Sequence, residues 1–164
     1  MTAAALPRTA ELGSALLRPP VPDECETLAT RLAAMQPWST MGISAEGLTA
    51  FLKSDDPGAH RYAIVQDGVL AGVVSVRFPW LKGPYIELLA ILSGFQRRGH
   101  GQRILSFIET EAVRLGMRNV WVCASQFNGG AARFYKRHGF VEIATLPGLV
   151  ADDFTETLFR KALT

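Results

Sequence analysis

The densest chemistry in this sequence lies in six residues, Gln96-Arg97-Arg98-Gly99-His100-Gly101. They follow an apolar run and precede a stretch with helical periodicity. A helix N-terminus carries backbone N–H groups without intrahelical partners and a partial positive charge. Glycines let a backbone come close to a ligand. Together these features make an anion site suited to a phosphate or pyrophosphate. Arg97, Arg98 and Arg103 add positive charge nearby. Two well-known phosphate loops do not fit. The dinucleotide fingerprint G-x-G-x-x-G matches Gly99 and Gly101 but meets Ile104 where its third glycine belongs. The P-loop G-x-x-x-x-G-K-[ST] matches Gly94 and Gly99 but continues as His100-Gly101. On the residues alone, a second reading stays open: a glycine-rich turn with a solvated basic face.

The elements that must position this segment follow from periodicity and turn chemistry. Ala15 to Arg18 reads as a short strand closed by Pro19-Pro20. Pro22-Asp23 opens a helix bearing Leu28, Leu32 and Met35, ended by Pro37, and a second short helix holds Leu48, Phe51 and Leu52. Arg61 to Gln66 and Val69 to Arg77 form a hairpin about Asp67-Gly68, a dipeptide that accepts the positive φ of both turn positions. Phe78 to Pro84 reads as a loop, and Tyr85 to Leu92 as a strand that is apolar except at Glu87. Ile104, Leu105, Ile108, Ala112 and Leu115 make one stripe of a helix from about Arg98 to Leu115, stopped by Gly116. A strand over Asn119 to Ser125, a helix over Ala131 to His138 and two strands, Phe140 to Ala144 and Phe154 to Arg160, complete the chain. The expected fold class is α/β or α+β: a mixed, mostly antiparallel central sheet flanked by helices.

Bulk properties narrow the function. The chain has 164 residues, 48% of them hydrophobic, enough for one ordinary domain with its own core. Residues 1–14 are expected to be a flexible lead-in and residues 15–164 a single domain. The two cysteines, Cys25 and Cys123, give neither a disulfide framework nor a zinc pattern, and both are expected to be small buried residues. No metal site is expected. A net charge of +2 is too weak to argue for nucleic acid or an anionic membrane. No apolar run reaches the ~20 residues of a membrane span, and the first 18 residues lack a secretory apolar core. Cytoplasmic localisation is the default expectation.

Gln96-x-x-Gly99-x-Gly101 resembles the Q/R-x-x-G-x-G/A signature of the GNAT superfamily of N-acetyltransferases. The resemblance extends downstream: Asn128-x-x-Ala131-x-x-Phe134-Tyr135-x-x-x-Gly139-Phe140 is similar to the family's second signature. Upstream, Leu17-Arg18-Pro19-Pro20 with the acidic helix start resembles the family's opening strand and helix. It covers about Leu16 to Lys161, with one departure: Ser93-Gly94 stands where many members have a proline. The resemblance implies a GNAT-like fold and acetyl-CoA as co-substrate. It implies that the backbone from Gln96 through Arg97, Arg98, Gly99, His100 and Gly101 to Gln102 holds the pyrophosphate. It also implies that Leu89-Ala90-Ile91 pairs with the pantetheine arm, with Asn128 and Phe134 beside it.

The implied reaction moves an acetyl group from a thioester to a primary amine by direct attack. The amine must attack as the neutral base. At neutral pH that costs about 4 kcal/mol for a lysine and about 1 kcal/mol for an α-amine. Glu87, the one charged residue of the strand expected beside the thioester, is the candidate general base; a solvent-facing or arginine-paired carboxylate is the other reading. Tyr135 matches, by resemblance, the tyrosine that meets the departing thiolate, and is the candidate general acid. Asn128 suits both a contact to the pantetheine arm and a helix cap. His100 is expected to be solvent-exposed, and His60 and His138 structural.

The acceptor is a small-molecule or peptide amine. Its groove is expected to use Trp38, Met41 and Phe51, with Phe78 and Trp80 on the loop before the central strand. An alternative is a regulatory acyl-CoA-binding module without turnover, which would keep Gln96 to Gly101 and dispense with Glu87 and Tyr135. Nucleic acid and membrane are not expected partners. A homodimer is a further candidate state, since exchange dimers are common among proteins resembling this one.

Overall fold

A computed structural model describes residues 5–164. Eight strands form one sheet in the order β1-β2-β3-β4-β5-β6-β8-β7. They are β1 (Ala10–Leu12), β2 (Ala15–Arg18), β3 (Ala59–Gln66), β4 (Val69–Trp80), β5 (Gly83–Ile91), β6 (Asn119–Ser125), β7 (Val141–Pro147) and β8 (Thr155–Ala162). Every neighbouring pair is antiparallel except β5–β6, which is parallel. Five helices flank it: α1 (Pro22–Ala33), α2 (Trp38–Met41), α3 (Ala45–Lys53), α4 (His100–Arg114) and α5 (Gly129–Arg137). This is the expected mixed, mostly antiparallel sheet.

Two cores sandwich the sheet. On one face, Cys25, Leu28 and Leu32 of α1 and Leu48 and Leu52 of α3 pack on Val73, Leu88, Ala90 and Leu92. On the other, Ile104, Leu105 and Ile108 of α4 and Tyr135 of α5 pack on Ile64, Val74, Ile86, Val122 and Phe159. The apolar stripe of α4 is therefore buried as its period requires, and burying each such side chain stabilises by roughly 1.5–3 kcal/mol.

Three features depart from expectation. Residues 10–12 of the expected lead-in form β1, laddered on β2, and Leu6 is buried; residues 1–4 lie outside the described residues. The segment from Phe78 to Pro84 is not a loop. β4 runs on to Trp80 and β5 starts at Gly83, with only Leu81 and Lys82 between them, both at positive φ (40° and 64°). Trp80 packs against Tyr85 and Trp121 with ring centroids 4.8 and 5.5 Å away, which holds the extended hairpin. The short α2 has no counterpart among the expected elements.

At Gly72 of β4 a Cβ would fall on the Ala90 carbonyl of β5 and come within 3.2 Å of Ile64 Cδ1. Gly72→Ala is expected to lower unfolding stability by about 1–3 kcal/mol through this overpacking, as read by chemical denaturation.

Candidate active site

The parallel contact between β5 and β6 is short. Only Tyr85–Trp121 and Ile86–Val122 are in register; Gly83 still lies against the Asn119 backbone, and no pairing continues toward the C-terminal ends of the two strands. The β4–β5 register shifts at the same level, so that Ser75 pairs with Leu88, Val76 pairs with Ile86, and Glu87 is left over as a bulge. A bulge bends its strand and re-aims side chains. Ile86 faces the α4 core while Leu88 and Ala90 face the α1 core.

The edge of β5 facing the gap keeps its backbone groups unladdered. Leu92 N–H donates to Ala71 O of β4, so the Ile91 carbonyl of the same peptide unit points into the gap. By the alternation of a strand, Leu89 presents its N–H and C=O there as well. The Ala90 carbonyl lies against Gly72 of β4. Of the three residues expected to pair with a pantetheine arm, Leu89 and Ile91 face the gap and Ala90 does not.

At the C-terminal end of β5 the chain turns through the glycine-rich segment into α4. Gly99, at φ 80°, is the N-cap of α4, and no side chain caps that helix. By contrast, Ser44 caps α3 and Asn128 caps α5 through Ala131 N–H. The first intrahelical bond is Arg103 N–H to Gly99 O, so the N–H groups of His100, Gly101 and Gln102 stand ahead of it. Three side chains hold this turn. Gln96 Nε2 donates to Ile91 O at 3.0 Å, Arg103 donates to Arg98 O at 2.9 Å, and His100 Nε2 meets Gln66 Oε1 at 2.6 Å. The Gln96 side chain thus ties the loop to β5. Arg97, Arg98 and Gln102 are exposed, and the Arg98 guanidinium lies over the Phe95 ring at 5.3 Å. Phe134 is seated against Gly101, where a Cβ would come within 2.9 Å of the ring.

His100 departs from expectation: it is 3% exposed. The Gln66 amide oxygen accepts from Nε2–H, which leaves Nδ1 to accept from Arg103 at 3.3 Å. The neutral ring satisfies both contacts, whereas a second ring proton would face the guanidinium. Burial, then Arg103 and Arg98, lower its pKa.

The gap opens into a cavity of about 140 Å³ lined by Glu87 and Leu89 of β5, Cys123 and Ser125 of β6, and Asn128 and Tyr135 of α5. Trp38 and Met41 of α2 and Glu156 of β8 complete the wall. The cavity joins four of the expected catalytic and cofactor-binding residues: Glu87, Leu89, Asn128 and Tyr135. Glu87 is the arginine-paired carboxylate. Its Oε1 accepts from Arg77 Nε at 2.7 Å and its Oε2 from Ser75 Oγ at 3.0 Å; Arg77 also holds Asp56 at 2.6 Å. Tyr135 is 6% exposed, and burial, with Cys123 beside it, pushes its phenol pKa well up. Of the expected acceptor residues, Trp38 and Met41 line the cavity. Phe51 packs under Arg61 instead, Phe78 is buried in the α4 core, and Trp80 belongs to the aromatic cluster at the far end of β5. Cys123 is half-buried, not a core cysteine. Glu156, absent from the sequence reading, lines the cavity at 6% exposure; its partner across the ladder is Ser125. Among the described residues there is no group of three or more His, Cys, Asp and Glu placed to hold a metal, and no helix is long and apolar enough to cross a membrane.

A family model, "Acetyltransferase (GNAT) family", matches residues 26–140, which span α1 through the end of α5. The chain belongs to the GNAT acetyltransferase family. Solved GNAT-type structures share its fold. Ard1 from Thermoplasma volcanium superposes with a TM-score of 0.72 at 18% identity, covering 92% of this chain and 99% of the other. An acetyltransferase from Thermus thermophilus gives 0.71 at 20% identity, covering 94% and 100%. The ribosomal L7/L12 alpha-N-protein acetyltransferase RimL, in complex with coenzyme A, gives 0.75 at 17% identity, covering 94% and 98%. GNAT membership makes this protein an acetyltransferase.

The His100 geometry carries a pH dependence. An imidazole with a lowered folded pKa contributes stability that is fully present above the unfolded value of about 6.5 and is lost as pH falls below it. His60, also held neutral by burial, adds to the same trend. Thermal stability is expected to fall on acidification through this range, and His100→Gln is expected to flatten the slope relative to the parent.

Proposed function

We propose that this GNAT protein transfers the acetyl group of acetyl-CoA to a primary amine by direct attack on the thioester. The observation that carries the reading is the continuity of three features: the uncapped N-terminus of α4, the unladdered edge of β5 and the cavity at Tyr135. Backbone N–H groups at a helix start, with Arg97 and Arg98 outside them, suit a pyrophosphate. The strand edge at Leu89 and Ile91 suits an arm with amide groups, since an extended ligand adds to an open strand as a further strand. The coenzyme A in RimL agrees with this assignment.

Acetyl-CoA supplies the activated acyl group; this chain's residues supply binding and charge control. Gly99, His100, Gly101 and Gln102 hold phosphate oxygens through backbone N–H groups. Phe134 closes over Gly101, and Asn128 both caps α5 and faces the cavity. Tyr135 stays a neutral phenol, because burial raises its pKa above its ordinary value of about 10. A thiolate ionises near 8.5, so the proton rests with the phenol and Tyr135 acts as a hydrogen-bond donor to the departing sulfur. Glu87 forms the polar wall of the cavity with Arg77 and Ser75. Trp38 and Met41 offer an apolar lip to the acceptor, a small-molecule or peptide amine. The edge strand β7 exposes Val141 and Ile143, and a second copy pairing there would give the homodimer.

Calorimetric titration with acetyl-CoA tests the cofactor assignment. The parent is expected to bind and Gly99→Glu to lose binding while remaining folded, since a carboxylate there meets the phosphates. With an acceptor in hand, Tyr135→Phe is expected to bind acetyl-CoA normally and to lose roughly 10²-fold in kcat. A parent that does not bind would contradict the reading. A parent that binds but acetylates no amine would favour the regulatory module.

A further inference from the structure

Glu156 has no place in the mechanism so far, and its setting is costly. It sits second in β8, opposite Ser125. The ladder puts Val122 and Phe159 on the α4 core, and therefore turns Ser125 and Glu156 to the other face, where the cavity opens between α2 and the gap. The residue is 6% exposed, and its Oε2 is buried without a hydrogen-bond partner. A buried carboxylate oxygen without a partner loses its hydration and receives nothing in return.

The groups around it do not neutralise it. Glu87 and Tyr85 face it from β5, Cys123 from β6 and Tyr135 from α5. The nearest cation on its own face of β8 is Arg160, which is engaged by Asn119 Oδ1 at 2.7 Å and the Trp121 ring at 5.8 Å. α2 brings only Trp38 and Met41 to the cavity. Glu87 differs sharply: both of its oxygens are occupied, one by Ser75 and one by Arg77, a guanidinium it shares with Asp56. Of the two carboxylates in the cavity, Glu156 alone keeps a buried oxygen without a hydrogen-bond partner.

We propose that Glu156 is the acceptor-binding carboxylate, taking the primary ammonium of the acceptor on Oε2 and removing its proton. The assignment rests on the acetyltransferase reading for the second part only; the cation site stands on the geometry alone. The step is R–NH₃⁺ plus carboxylate giving R–NH₂ plus carboxylic acid. The nitrogen lone pair so released forms the new N–C bond as the C–S bond breaks and its electron pair leaves on sulfur; the nitrogen's second surplus proton passes to that thiolate, giving the free thiol, and the carboxylic acid returns its proton to water. The apolar lip of Trp38 and Met41 beside one unpartnered carboxylate oxygen selects an amine on an aliphatic stem.

n-Butylammonium is the probe, with n-butanol as its uncharged counterpart and sodium chloride as the ionic-strength control. In the parent, butylammonium is expected to raise the melting temperature above the salt control, while butanol does not. Glu156→Gln is expected to lose that rise and Glu87→Gln to keep it. On the parent itself, the Glu156 side-chain carboxyl carbon resonance is expected to move with butylammonium and not with butanol, a readout that does not depend on a variant folding. For any primary amine that is turned over, Glu156→Gln is expected to lower kcat/KM by roughly 10²-fold with unchanged acetyl-CoA affinity. A butylammonium shift equal in the parent and Glu156→Gln, or an unmoved Glu156 resonance, overturns the proposal. Failure of the parent to bind acetyl-CoA would sink the acetyltransferase reading while leaving the cation site standing on the butylammonium result.

Discussion

The brevity of the β5–β6 contact governs the rest of the structure. Two residue pairs hold the only parallel neighbours of the sheet together, and the strands then separate. Backbone groups at the centre of a sheet are normally all paired. Here the Leu89 and Ile91 edge of β5 is left open in the middle of an eight-stranded sheet. The bulge at Glu87 sets the level of the separation and exchanges the faces of β5, so that Ile86 packs on α4 and Leu88 on α1. Tyr135 reaches the gap from the α4 side, Trp38 and Met41 from the other. A gap flanked by two intact cores is a site that the fold holds open.

The glycine-rich turn depends on that gap. Gln96 anchors it to Ile91 O, and His100 and Arg103 fix it from the side of β3. These bonds use side chains and carbonyls and leave the N–H groups at the start of α4 unclaimed. Positive φ at Arg97 (62°) and Gly99 (80°) completes the reversal. For the non-glycine Arg97 this conformation is uncommon, and it is the kind of local cost that functional loops carry. Electrostatics then divide the site in two: an electropositive start of α4 with exposed arginines, and an electronegative cavity holding Glu87 and Glu156. Such a division suits an anionic co-substrate at one end and a cationic acceptor at the other.

Local signals were legible in the sequence where they depend on neighbouring residues. Asp67-Gly68 marked the hairpin, with both residues at positive φ; the stripe of α4 and the β2 and β6 boundaries agreed with the structure, as did both GNAT signatures. Signals set by distant partners were not legible. Phe78 to Pro84 reads as a loop by its prolines and glycine, yet Trp80 is held extended by Tyr85 and Trp121, the latter 41 residues away in sequence. His100 reads as exposed because its partner Gln66 lies 34 residues upstream. Glu156 carries no local signal in the sequence; only the β6–β8 register turns it into the cavity. The arginine pairing of Glu87 was among the sequence alternatives, and the structure selects it.

Whether the open β5 edge and the uncapped α4 start form one acetyl-CoA site is tested most directly by amide hydrogen exchange with and without acetyl-CoA, because each backbone N–H involved is named. Ligand is predicted to slow exchange at Leu89, Ile91, His100, Gly101 and Gln102 while Ala90, already turned to β4, is unchanged. Protection confined to other segments, or none at these five amides under saturating ligand, would contradict a single continuous site.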